Sequence, residues 1–262
     1  MKNLIKKGVL LSILTASLFI TSCKKKESAT TNAAAKGTLY FNINTFINST
    51  GVAAGQIAMD AAHRHFKLNI AQFYISGIVL NNSNGASFAC SGVYLLKTIA
   101  NQMFFVDSVT AGNYTSISFN VGIDSVTNTK VPTAFISSSV LYTQNPSMFF
   151  SIPGQGYMFM NVQGIADTMA ADTVTTIDTA HVNYPSTFEL GADTAIRTIK
   201  MLAQPITITA GTANYFNIIA DYGKLFQGID FSSFSITTGI VTPWTNPAIC
   251  SQINANIPNM FR

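Results

Sequence analysis

Charge is scarce in this chain: Asp, Glu, Lys and Arg make up only 10% of 262 residues. There is one tryptophan, and there are three histidines and three cysteines. So little imidazole and thiol excludes any Cys- or His-rich metal knot and leaves scant material for a Ser/His/Asp or Cys/His triad. The nucleophile-elbow, zinc-protease helix, P-loop and dinucleotide patterns are missing too. No stretch approaches the 18 or more unbroken apolar residues of a spanning helix. The formal net charge of +4 is unevenly placed. Seven of the 15 basic residues and one of the 11 acidic residues lie in residues 1–36, leaving eight basic and ten acidic residues beyond. The remainder is slightly acidic and offers no basic patch for nucleic acid.

The basic residues of the N-terminus have another reading. Lys2, Lys6 and Lys7 precede an apolar run, Gly8–Ile20, of about 13 residues. That is too short to span a bilayer but right for the h-region of a secretory signal. It ends in Ile20-Thr21-Ser22-Cys23, which resembles a lipobox. Cleavage before Cys23 and acylation of its thiol are expected, giving residues 1–22 as signal peptide and 23–37 as a polar, flexible tether. The expected address is the outer membrane or cell surface of a Gram-negative bacterium, with the membrane itself as first partner through the lipid. Cys90 and Cys250 are then an even pair in an oxidising compartment. They are expected either to form a disulfide or to lie as separately buried thiols.

From residue 38 to 262 the sequence reads as one all-β domain. A period of two runs through Leu39, Phe41, Ile43 and through Phe66, Leu68, Ile70. It is clearest in Thr115, Ile117, Phe119, Val121 and Ile123. Such alternation marks strands with one buried face. Further strands are expected over 73–80, 157–162, 195–201, 206–208 and 215–219. Turn signals fall at 81–85, 110–113 and 209–212. Many short strands without long helices predict an antiparallel β-sandwich. Two short helices are expected. One starts at Tyr222. The other starts at the N-cap Asn246 with Pro247 in its first turn and Ile249, Ile253 and Ile257 on its buried face. The Thr/Asp-rich stretch 165–187 reads as a surface excursion. Asp124, Asp221 and Asp230 are expected to tie turns and caps, and Phe104, Phe105, Phe149, Phe150, Tyr157 and Phe159 to lie in the core.

Several segments taken in order are similar to one known family. These are Phe66–Leu80, Val109–Asp124, Met148–Gly164, Phe188-Glu189-Leu190-Gly191, Ile219–Phe226 and Asn246–Phe261. Together they resemble the MbnP-like proteins over about residues 38–262. That resemblance implies an exported β-sandwich. Some members hold copper through histidines and a tryptophan converted to kynurenine by a diheme peroxidase-like partner. Here the positions similar to the motif tryptophans hold Phe150 and Ile152, the position similar to the motif histidine holds Glu189, and the single tryptophan is Trp244. The resemblance therefore implies the fold and a degenerate copper site. No catalytic role and no resident cofactor are expected.

An alternative keeps copper through a rearranged set drawn from His63, His65, His181 and Glu189. His63 and His65, two apart, would share one strand face, expected to look to solvent opposite Phe66, Leu68 and Ile70. Asp-Ser/Thr-apolar triplets at Asp107, Asp124, Asp167, Asp172, Asp178 and Asp193 resemble O-glycosylation sites of some Gram-negative lipoproteins.

Overall fold

The computed structural model describes residues 34–59, 63–97, 99–167, 182–201, 204–229 and 240–262. The signal and lipobox, most of the tether, His181, Asp172, Asp178 and Asp230 lie outside these residues, as do residues 168–181. The described ends of the 165–187 stretch are not a surface excursion but belong to two paired strands, Met158–Asp167 and Val182–Gly191.

Strand β1 (Lys36–Ile47) is followed by β2 (Thr50–Gly51), β3 (Ile57–Met59), the long β4 (His65–Asn82), β5 (Ser87–Ala89) and β6 (Tyr94–Leu96). Then come β7 (Gln102–Thr110), β8 (Gly112–Val121) and a single turn of helix, α1 (Ser125–Asn128). After an irregular stretch come β9 (Met158–Asp167), β10 (Val182–Gly191), β11 (Arg197–Met201), β12 (Ile206–Ile208) and β13 (Ala213–Asp221). Helix α2 (Tyr222–Leu225), β14 (Ile240–Val241) and helix α3 (Pro247–Asn256) complete the domain.

These strands form two sheets. The smaller has β1 at its centre, with β7 antiparallel on one side, β13 parallel on the other, and β2 at the far end. The larger runs β11-β8-β4-β9-β10-β14, with β12 on β8 and β3, β5 and β6 on β4. Most pairings are antiparallel; β1–β13 and β10–β14 are the parallel ones. This is the expected β-sandwich.

The alternation of β1 sends Leu39, Phe41 and Ile43 between the sheets, where they meet Phe119 of β8 and Phe216 and Ile218 of β13. Strand β4 explains why two separate segments looked plausible in the sequence. Its inward residues are Phe66 and Leu68, then Ala71, Phe73 and Ile75, then Ile78 and Leu80. The parity changes twice, at register shifts after Leu68 and after Ser76. Each bulge inserts a residue and flips the faces. Gly77 sits in the second one at φ +56°, and a Cβ there would stand 2.6 Å from Asn120 Nδ2.

The bulges matter because β4 is covered on both sides. Tyr74 on β4 and Phe159 on β9 point away from the main core into a second cluster with Ile123, Leu141, Met148, Phe150 and Tyr157. The stretch between β8 and β9 thus forms a cap over the outer face of the larger sheet. Tyr157 Oη donates to Leu141 O (2.6 Å), Tyr74 Oη donates to Val140 O (3.2 Å), and Asn128 Oδ1 accepts from Tyr157 N (2.7 Å). Asp124 caps α1 by accepting from Thr127 N and from Thr127 Oγ1.

Helix α3 closes one end of the sandwich. Pro247 opens it as expected, but the Asn246 side chain makes no capping bond. Ile253 and Ile257 are fully buried, and Ile249 packs against the core only in part.

Candidate functional site

The residues singled out from the sequence converge in part where β10, the cap and the start of α3 meet. Glu189 lies on β10 between Phe188 and Leu190, both in the main core, so its side chain takes the outer, capped face. Directly across from it on β9 is Asn161, and across from Asn161 on β4 is Gln72. The three form a polar row over three neighbouring strands. Gln72 and Asn161 are buried. Asn161 Oδ1 accepts from Gln163 Nε2 (3.2 Å), while its amide donates to Ser147 O (3.4 Å). Gln72 Oε1 has no hydrogen-bond partner. Burial raises the Glu189 carboxyl above its usual pKa, because the charged form loses water there. Sequence reasoning missed Gln72 and Asn161; amides inside alternating strands look like ordinary outward positions until a cap covers them.

Phe150 is buried in the cap, and its ring meets the only tryptophan edge-on: Phe150 and Trp244 lie 4.8 Å apart at 89°. Trp244 was expected away from the motif positions, near the C-terminal helix. It stands before that helix, yet the fold brings its ring onto Phe150. Ile152 is more than half exposed. Beside Phe150, a cleft of about 240 Å³ runs along α3, lined by Leu190, Gly191, Arg197, Pro247, Cys250 and Asn254 among others. Arg197 spends Nε on Asn254 O (3.2 Å) and Nη1 on Thr194 O and Ile196 O (2.7 and 2.8 Å). Those donors are committed to holding backbone.

The histidines are placed otherwise than expected. His63 is exposed at φ +60°, whereas His65 opens β4 and is buried, its Nδ1 without a partner. The left-handed turn at His63 ends the two-residue repeat, so the strand alternation cannot be carried back to it. The two imidazoles do not share a wet face. Arg64 between them is buried and donates through Nη1 to Ile229 O (2.8 Å). Among the described residues, no three His, Cys, Asp or Glu side chains gather closely enough to hold an ion.

Cys90 and Cys250 are both free and buried. The alternative weighed for them, separately buried thiols, is the arrangement observed. Cys90 follows β5 beside Tyr94 and Asp107; Cys250 lies on α3 beside the cleft. Burial pushes each thiol up to about 12, which keeps it protonated and a poor metal ligand or nucleophile. Asp221 behaves as foreseen. Its Oδ1 accepts from Asn48 N and Gly223 N, and its Oδ2 pairs with Arg262 at 3.4 Å.

The fold and this site define a class: a two-sheet β-sandwich with a capped outer face, whose distinctive side chains sit where cap, β10 and C-terminal helix join. The chain belongs to the MbnP family, whose model matches residues 36–242. A solved structure, MbnP from Methylosinus trichosporium, has a similar fold. At 14% identity it superposes with a TM-score of 0.51, covering 75% of this chain and 80% of that one. No curated protein matches the chain.

The side chains at positions 150, 152 and 189 offer few donor atoms. A phenyl ring at 150 has no heteroatom to offer an ion. Ile152 is aliphatic, and Glu189 is a lone, desolvated carboxyl among amides. Soft monovalent copper calls for imidazole or sulfur.

Proposed function

We propose that this chain is exported, held at a membrane by lipid on Cys23, and works there as a non-catalytic binding or structural module that has given up the copper place of its family. The observation that carries the last step is the side-chain set at that place. Phe150 is sealed against Trp244, and Glu189 ends the row of amides Asn161 and Gln72 with its carboxyl held toward the neutral form. Phe150, Glu189, Asn161 and Gln72 cannot be oxidised to a kynurenine, so a diheme peroxidase-like partner would find no substrate at position 150, and Trp244 against Phe150 is the one side chain of the set that could serve. Trp244, with Pro243, Thr245 and Asn246 around it in sequence, has no imidazole neighbour in the chain to bring copper to it. Among the described residues no helix is long and apolar enough to cross a membrane; in this reading the attachment is the lipid.

The test is titration of the mature protein with Cu(I) against a competing chelator, with mass spectrometry of the tryptophan-containing peptide. Binding no tighter than about micromolar, ~8 kcal/mol, and an unmodified Trp244 are expected. A second reading, copper at rearranged histidines, has one observation in its favour, the unpartnered buried Nδ1 of His65. Stoichiometric sub-nanomolar uptake abolished by His65→Ala would establish it and overturn the first.

A further inference from the structure

The outer face of the smaller sheet has no role in the reading above. Leu39, Phe41 and Ile43 fill the core, so the residues between them look outward. Across the register, Tyr40 pairs with Phe105 of β7 and with Tyr215 of β13. The three rings form one line over three strands: Tyr40 lies 5.9 Å from Phe105, edge-on, and 5.5 Å from Tyr215, stacked at 23°. In the next row Met103, Asn42 and Asn217 stand together, and Asn42 Nδ2 donates to Asn217 Oδ1 at 2.8 Å. Met103 is 56% exposed, Phe105 51% and Tyr215 54%. Single exposed apolar residues are ordinary; a contiguous row on a flat sheet marks a surface that meets something. The sequence reading put Phe105 in the core, and that is corrected here. Phe104 pairs with inward Phe41 and Phe105 with outward Tyr40, so simple alternation turns Phe104 in and Phe105 out.

We propose that this face lies against the lipid surface that anchors the chain, with Tyr40, Phe105, Tyr215 and Met103 seated at the headgroup boundary. The proposal rests on the reading of Cys23 as lipidated. The chain outside the domain argues for it. From Cys23 to the start of β1 at Lys36 there are 13 residues, a reach of at most ~45 Å. Tyr40 lies four residues into that strand, ~13 Å from its beginning. The lipid therefore delivers this face to the bilayer at high effective concentration, so that a weak apposition is populated. The chemistry agrees. Tyrosine and phenylalanine suit a boundary that is apolar below and wet above. From Thr38 to Asn44 the positions paired in the outward rows carry no charged side chain; the nearest carboxylate, Asp107, is half-buried at the bulge opposite inward Leu39. Lys36 is exposed at its margin, where a cation is drawn to such a surface.

The test uses the full mature lipoprotein in phosphatidylethanolamine/phosphatidylglycerol vesicles containing brominated acyl chains, in a Trp244→Phe background. Phe105→Trp or Tyr215→Trp, made separately, places the sole fluorophore on the face. Ile136→Trp places it on the cap, across the sandwich, where residue 136 is 75% exposed. Flotation reports the anchor and quenching reports the face. The proposal expects every variant to float, with emission at positions 105 and 215 quenched at least twofold and emission at 136 unchanged. Flotation with equal quenching at all three positions, or none, overturns the membrane-facing surface and leaves the anchor standing. Loss of flotation overturns both. Flotation without quenching, together with a spectral shift at 105 on adding a soluble β-glucan, overturns the proposal in favour of a glycan platform.

Discussion

Glu189 shows how much one side chain's surroundings decide. In sequence it is one acid among eleven; in the fold it faces a capped sheet, and burial raises its pKa. Protonation therefore favours the folded state. The contribution is complete below the usual carboxylate range and is lost as pH rises through the raised folded-state value. Glu189→Gln should leave stability unchanged in acid and raise it near neutral pH by less than about 1 kcal/mol, since solvent still reaches the carboxylate. Thermal unfolding followed from pH 4 to 8 reads this directly, and a variant less stable than its parent at neutral pH would mean that the charge has a partner. The cysteines make a second residue-scale case. With Cys23 acylated, two thiols should react with a thiol reagent in denaturant and none in the native protein within minutes. A mass two daltons lower without reductant would show a bridge instead.

At the scale of elements, β4 is the strand on which both faces of the larger sheet depend. Gly77 takes φ +56° in its second bulge, and a Cβ would press on Asn120. Gly77→Ala should cost about 2 kcal/mol, from left-handed strain plus the clash, read as a lowered denaturant midpoint. Gly51→Ala, with its nearest side-chain atom 3.9 Å away and no positive φ, should cost much less. Helix α3 has an idle N-cap side chain and is held by packing together with bonds that Gln252 and Asn256 donate to the Gly228, Leu225 and Gln227 carbonyls. Ile253→Ala removes a fully buried side chain and should cost about 3 kcal/mol. A loss below 1 kcal/mol would show the helix to be a loosely attached lid.

For the whole molecule, the proposed attachment through Cys23 is the property that would most change what the domain meets. Cys23→Ala should release the protein from the membrane fraction into periplasm or medium with its thermal unfolding unchanged, because the domain from residue 34 onward makes its own core. A variant that stays with the membrane through high-salt and carbonate washes would show another anchor. The same experiment separates the lipid's contribution from that of the Tyr40 face. Several chains, at ~0.8 kcal/mol per buried methylene, exceed what a few half-exposed rings supply.

Sequence alone determined many of the strands and with them the sandwich, because period-two alternation is written locally wherever one face is buried; β7 and β10 carry no such clean signal and were not foreseen. Leu39 to Ile43 and Ile117 to Val121 are legible without neighbours. The N-terminal pattern ending at Cys23 is equally local. What only tertiary structure decided was which outward positions stay outward. The cap over β4, β9 and β10 turned Gln72 and Asn161 into buried groups. A left-handed residue at His63 and the covering of His65 dissolved a histidine pair that simple alternation would have left in water. Pairing opposite Tyr40 put Phe105 on the surface, and the chain's path laid Trp244 on Phe150. Register shifts and coverings arise from contacts between distant segments. No local window carries them, and so the fold was legible from the residues while the chemistry of its faces was not.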